Sequence, residues 1–161
     1  MDFKPPRMDD AESRAWLALV ATSELLPAAL DAQLQADAGM THFEFMLLGI
    51  LNLAEDHTMR MKQLAEGAHS TLPRLSKAVT RLEARGWVER FECLEDRRAT
   101  NVRLTQDGRR SMILATPGHL DTARLAVLDR LSRAQLVALA EALEPVVAGL
   151  DPNHRFFRAA T

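Results

Sequence analysis

LAEGAHSTLPRLSKAVTRLEARGWVERFECLEDRRATNVRLTQDG, residues 64–108, is the stretch that decides the fold. It begins inside a short helical pattern, about Met61 to Gly67, with Met61, Leu64 and Ala65 on the inward side. Gly67-Ala68-His69-Ser70 makes a tight turn. A second helix is expected from about Thr71 to Arg85. Ser70 or Thr71 caps it, and Pro73 is tolerated because the first-turn N–H groups have no helical partner. Gly86 stops it. The pattern then turns β-rich in Trp87-Val88-Glu89-Arg90-Phe91-Glu92 and again in Ala99-Thr100-Asn101-Val102-Arg103-Leu104. The charged run Cys93-Leu94-Glu95-Asp96-Arg97-Arg98 joins them as a hairpin tip. Two short helices across a tight turn, followed by a two-stranded hairpin, make a winged helix-turn-helix.

The second helix has two unlike sides. At about 100° per residue, Leu75, Ala78, Val79 and Leu82 fall on one side and face a core. Ser70, Pro73, Lys77, Thr80 and Ala84 fall opposite, flanked by Arg74, Ser76 and Arg81. No acid interrupts this outward face before Glu83. An ordinary solvated helix face mixes Glu with Lys. Arginine, lysine, serine and threonine are the donors that reach phosphates and base edges in a major groove, which is wide enough to admit a helix. Arg97 and Arg98, at the end of a hairpin, can reach a narrow minor groove and respond to its negative potential. Asp96 repels phosphate, so its role there is to hold an arginine in position.

The flanks of the lobe read as helices. Ala15, Trp16, Leu19, Val20, Leu26, Leu30 and Leu34 recur at helical spacing from Asp9 onward, with Asp9, Asp10 and Glu12 at the positive end. Pro27 kinks or splits this helix, and Gly39 ends it. Thr41 with Glu44 forms a capping box for a helix that is apolar nearly all round, as befits the middle of a domain. Thr105 and Gln106 start a helix that runs to about Leu128 despite Pro117 and Gly118. Ser132 caps a last one through Leu136, Leu143 and Leu150, with Pro145 inside it. The expected class is mainly α with a small β-hairpin wing. About 9–38 and 106–150 are dimerisation helices around a DNA-binding lobe at about 41–105, and 151–161 is a C-terminal tail.

Composition bounds the function. The 161 residues suit one domain able to bury about two thirds of its unfolded surface. The net charge of −2 hides an asymmetry. Residues 60–110 hold 12 basic and 7 acidic side chains, and the remainder 8 basic and 15 acidic. A basic working lobe on an acidic scaffold fits a polyanionic partner. The longest mostly apolar stretch, Phe43 to Ala54, is too short to span a membrane. The polar, acidic start MDFKPPRMDDAESR has no secretory pattern, so a cytoplasmic location is expected. The single cysteine, Cys93, excludes an internal disulfide and a cysteine-rich zinc site. The histidines at 42, 57, 69, 119 and 154 stand at no metal-ligand spacing. With no glycine-rich phosphate loop and no nucleophile motif, neither an enzyme nor a bound cofactor or metal is expected.

The run from Leu64 to Gly108 resembles the DNA-binding lobe of MarR-type transcriptional regulators. The resemblance rests on Arg81, Leu82, Glu83 and Gly86 at the end of the second helix, Val88-Glu89-Arg90, the wing residues Asp96-Arg97-Arg98, and Leu104-Thr105 with Gly108. It extends over about residues 10–150. It implies an obligate homodimer on a pseudo-palindromic operator in double-stranded DNA, and repression relieved by a small phenolic or carboxylate effector. It maps DNA contacts broadly onto Ser70, Thr71, Arg74, Ser76, Lys77 and Arg81, and the family's acidic wing residue and second arginine onto Asp96 and Arg98. An effector pocket between scaffold and lobe would draw on Trp16, His42 and Met46, the competing reading being a core or dimer contact for Trp16 and a cap-side residue for His42. The family's peroxide sensors carry a cysteine in the first helix, which this chain lacks. Cys93 beside the wing would need a lowered pKa to act as a redox switch. The rival to DNA binding is a non-catalytic dimeric helical adaptor, which accounts for the long helices but not for the acid-free face or the double-arginine wing.

Overall fold

A computed structural model describes residues 7–92 and 99–152. Helix α1 runs Asp10–Ala38, α2 His42–Leu53, α3 Met61–Gly67, α4 Leu72–Ala84, α5 Gln106–Ala126 and α6 Arg133–Leu150. The strands are β1 Thr58–Arg60, β2 Val88–Glu92 and β3 Thr100–Leu104. They form one antiparallel sheet in the order β1-β3-β2, with Val88 opposite Leu104 and Met59 opposite Val102. The architecture is the mainly helical winged fold that the sequence predicts, with one addition. The hairpin has a third strand, β1, pressed between a short turn and α3. Three residues of half-buried Thr-Met-Arg carry too little alternation to be legible as a strand, and only pairing with β3 defines it.

The helix boundaries follow from local chemistry. Asp9 caps α1, its carboxylate accepting the Ala11 and Glu12 amides, while Glu12 reaches back to the Asp9 amide. Gly39 closes the helix at φ 62, where a side chain would be strained. Pro27 does not break α1, which stays helical through it, and Pro145 sits inside an equally continuous α6. Ser132 and Gln135 form the capping box of α6. α4 differs from expectation: Thr71 occupies its cap position without a side-chain bond to the first turn, and the Ser70 hydroxyl turns instead to the Thr71 carbonyl.

α2 is the centre of the molecule. Leu47, Leu48 and Leu51 are fully buried on it, and Leu75, Ala78, Val79 and Leu82 of α4 join the same core. Each large apolar side chain so buried contributes about 2 kcal/mol. Val88, Val102 and Leu104 bring the sheet onto that core, and Met112 and Ala115 bring α5. The outer helices behave differently. α1 packs along α5 yet buries only Ser13, Leu30 and Leu34 over 29 residues. α6 buries none of its 18. Trp16, Leu17, Leu19, Val20 and Leu25 on α1, Leu120 and Leu125 on α5, and Val137, Leu139, Val146 and Leu150 on α6 are all exposed. α1 is also long and apolar enough, by length and composition alone, to cross a membrane. The expectation that Phe43–Ala54 is the longest such stretch therefore fails. The helix passes that test because it is long, apolar and poorly covered, and uncovered apolar surface of this kind is what an isologous interface buries.

One close approach fixes α5 to the wing. A Cβ on Gly108 would stand 2.0 Å from the Trp87 carbonyl oxygen, whose neighbouring Thr105 amide it receives at 3.0 Å. Backbone cannot yield there as a flexible side chain would. Gly108→Ala should lower stability by about 3 kcal/mol, read as a drop in thermal midpoint by circular dichroism, whereas an alanine at the open Gly49 should not destabilise.

Candidate nucleic-acid interface

α4 divides as its sequence requires. Leu75, Ala78 and Val79 have no exposed surface and Leu82 has 1%. Thr71, Arg74, Lys77, Thr80 and Arg81 are exposed, and Ser70 and Ser76 half-buried. The structure therefore gathers Ser70, Thr71, Arg74, Ser76, Lys77, Thr80 and Arg81 on or beside one outward surface. Asp96, Arg97, Arg98 and Cys93 lie outside the described residues.

The outward side chains are not equivalent. Lys77 makes no hydrogen bond or ion pair among the described residues and lines an open recess with Asp31, Thr41, Phe43, Pro73, Arg74 and Arg81. The Arg74 guanidinium lies 4.4 Å from the centre of the Phe43 ring, a stacked cation whose donors remain free at the edges. The Thr80 hydroxyl donates to the Ser76 carbonyl at 2.9 Å and accepts from the guanidinium of Arg90. Arg90 also pairs with Glu83 at 3.2 Å, so β2 is tied to the end of α4. Arg103 pairs with Glu89 at 2.7 Å across the two wing strands. Arg81 donates its Nε–H to Glu44 Oε1 at 2.6 Å, and that carboxylate is only 3% exposed. Sequence periodicity placed Arg81 beside the outward face but could not reveal this inward commitment. Its signal was Glu44 itself, an acid on a helix otherwise apolar nearly all round.

The expected effector residues separate. His42 and Met46 line a surface recess of about 430 Å³ with Pro27, Ala28, Asp31, Phe43, Ala68 and Arg74. Trp16 is not there. It stands twelve positions before Ala28, about 18 Å along α1, and it is 49% exposed among the uncovered apolar side chains. Grouping Trp16 with His42 and Met46 is therefore corrected: the rigid length of α1 keeps them apart within one chain.

His42 has a second neighbour the sequence did not disclose. Its ring stacks on His119 of α5, centroids 5.4 Å apart, and His119 packs on Phe45 at 4.6 Å. The Nδ1 atoms of both histidines are buried without a hydrogen-bond partner among the described residues. Burial pushes the pKa of each below the ordinary value of about 6.5. Asp31, which accepts the His42 amide at 2.9 Å, opposes the shift at His42. The neighbouring His42 reinforces it at His119. Among the described residues no group of three or more His, Cys, Asp or Glu is placed to hold a metal ion.

A three-stranded wing behind a buried-backed, basic helix defines the winged helix-turn-helix class of DNA-binding regulators. The MarR family model matches residues 40–100. Sco3205, a MarR family transcriptional regulator from Streptomyces coelicolor solved in complex with DNA, is 40% identical; the alignment covers 89% of this chain and 93% of that one, with a TM-score of 0.81. AbsC, a second MarR family regulator from the same organism, is 32% identical over 91% of this chain and 98% of its own, with a TM-score of 0.80. The curated HTH-type transcriptional regulator PapX of Escherichia coli is 29% identical over 70 residues, 44% of this chain but only 43% of PapX. The chain belongs to the MarR family, a family of transcriptional regulators and not of enzymes.

The histidine pair sets a pH dependence with a definite sign. A histidine whose folded pKa is depressed binds fewer protons in the folded than in the unfolded state below about pH 6.5. Its stabilising contribution is complete above that value and is lost as pH falls toward the depressed folded value. The thermal midpoint should therefore drop from pH 7.5 to 5.5, and His119→Phe should flatten that drop. An equally steep drop in the variant would show that the pair does not set it.

Proposed function

We propose that this chain is a sequence-specific, double-stranded-DNA-binding regulator that works as a homodimer in the cytoplasm, with α4 entering the major groove. The observation that carries the reading is the division of α4: an apolar side fully consumed by the core, and an opposite side offering Arg74 and Lys77 with hydroxyls and no acid before Glu83, which pairs with Arg90. Protein–phosphate contacts position such a helix, and its remaining donors read base edges. Ser70, Thr71, Arg74, Ser76, Lys77 and Thr80 supply those contacts from the helix. Arg97 and Arg98 of the wing reach the adjacent backbone or minor groove, steadied by Asp96. The DNA complex of Sco3205 supports the partner class.

The dimer follows from the same economy of apolar surface. α6 has no buried residue and α1 almost none, although both carry leucine and valine along their length. A second copy covers those faces and sets two α4 helices about one turn of DNA apart, as a pseudo-palindromic operator requires. A helical adaptor would need the same dimer but has no use for the outward cations of α4. The recess of His42, Met46 and Arg74 touches both scaffold and DNA-binding lobe. A small phenolic or carboxylate effector bound there would release DNA by favouring one spacing of the lobes over the other; repression is the mode that the family resemblance implies.

Lys77→Ala and Arg98→Ala should weaken binding to operator DNA while leaving the circular dichroism spectrum unchanged, each lowering the slope of log K against log salt by about one per protomer. Fluorescence anisotropy at several salt concentrations reads both quantities. Parental affinity and slope in both variants would remove α4 and the wing from the interface. Separately, Leu139→Glu with Val146→Glu should shift the sedimenting species toward monomer; an unshifted dimer would exclude α6 from the interface.

A further inference from the structure

Glu44 lies at the junction of three helices. One carboxylate oxygen, Oε2, accepts the Thr41 amide at 2.9 Å and completes the capping box of α2. The other, Oε1, accepts the Nε–H of Arg81 from α4 at 2.6 Å. Two residues before Glu44, the His42 amide donates to Asp31 of α1 at 2.9 Å. The first turn of α2 is thus held to α1 on one side and to α4 on the other. A carboxylate this deeply buried needs both of its partners, because leaving one oxygen uncompensated is strongly unfavourable.

We propose that Arg81 is a positioning residue: through Glu44 it fixes the angle of α4 against the first turn of α2, and so against α1 and the dimer scaffold, and it does not serve as a phosphate contact. Three observations converge. Its Nε, the donor nearest the backbone, points inward to a carboxylate 37 positions away in sequence. That carboxylate is almost wholly buried, whereas the cations of the outward face, Lys77 and Arg74, have no carboxylate partner among the described residues. The C-terminal end of α4 is tied to the sheet by a separate set of bonds, since Thr80 and Glu83 hold Arg90 of β2. Among the described residues, Arg81 is the side chain that ties α4 to α2 by a polar bond. Two recognition helices must meet successive major grooves at once, so a small rotation of each α4 costs specific binding while leaving nonspecific attraction to phosphate.

The inference rests on the DNA-binding reading, and the test separates the two. In glutamine, Nε2 stands as many bonds from the backbone as Nε does in arginine. Arg81→Gln therefore keeps a donor for Glu44 while removing the charge and the outer guanidinium. Arg81→Ala removes both. If Arg81 positions, Arg81→Ala loses about tenfold or more in specific affinity with the parental salt slope and parental affinity for scrambled duplex, and Arg81→Gln recovers most of the loss. If Arg81 contacts phosphate, both variants lose affinity for both duplexes and the slope falls by about one per protomer, which overturns the proposal; so does parental specific binding by Arg81→Ala. Should Arg81→Ala fail to fold, Arg81→Gln alone decides through its slope. Amide hydrogen exchange on the free protein supplies the arm that needs no DNA. Exchange at the Thr41 and Glu44 amides should accelerate in Arg81→Ala and not in Arg81→Gln. Unchanged exchange in Arg81→Ala overturns the tether, whereas failure of the parent to bind any duplex retires the DNA reading and leaves the tether to be decided by exchange.

Discussion

The apolar contact between α2 and α4 is the constraint on which the rest of the molecule depends. Leu47, Leu48 and Leu51 on one helix and Leu75, Ala78, Val79 and Leu82 on the other are removed from water almost completely. That burial holds the outward face of α4 outward. The sheet and α5 then close on the same core through Val88, Val102, Leu104 and Met112. Burial alone does not fix a helix about its own axis, because hydrophobic contact is nondirectional. Direction comes from the polar bonds at the rim: Arg81 to Glu44, Arg90 to Glu83 and Thr80, and the backbone approach of Gly108 to Trp87.

The scaffold shows the opposite economy. α1, α5 and α6 carry more leucine, valine and tryptophan than one chain can cover, and in α1 the surplus is enough to imitate a membrane-crossing helix. In a MarR-family regulator that surplus has a use, since a helix-turn-helix reads a longer operator only in pairs. The division of labour is visible in charge as well. Acids collect outside residues 60–110, and bases outnumber acids inside that interval, which contains α4.

Much of this was legible in the sequence because periodicity encodes sidedness. The inward face of α4 reads from Leu75, Ala78, Val79 and Leu82, and the capping box at Thr41 and the cap at Ser132 read from residue type and position. Strand β1 was not legible, since three residues cannot display an alternation and its existence depends on a partner strand, β3, distant in sequence. The second bond of Glu44 was not legible either. Spacing identifies a cap within one helix but says nothing of a cation arriving from another. Trp16 was misgrouped with His42 and Met46 for a related reason: the sequence offers no distance between positions on α1 and α2 until the helix axis is laid down. The His42–His119 stack likewise arises from packing between α2 and α5, which local pattern does not contain.

The central claim is that the outward, basic face of α4 meets DNA and reads it. Fluorescence anisotropy of the full chain on duplex from upstream of its own gene, against a scrambled duplex and across several salt concentrations, tests it most directly. The account predicts tighter binding to the upstream duplex, by about a thousandfold, with a steep negative dependence of log K on log salt. Binding to neither duplex at low salt, or binding that salt does not weaken, would contradict it.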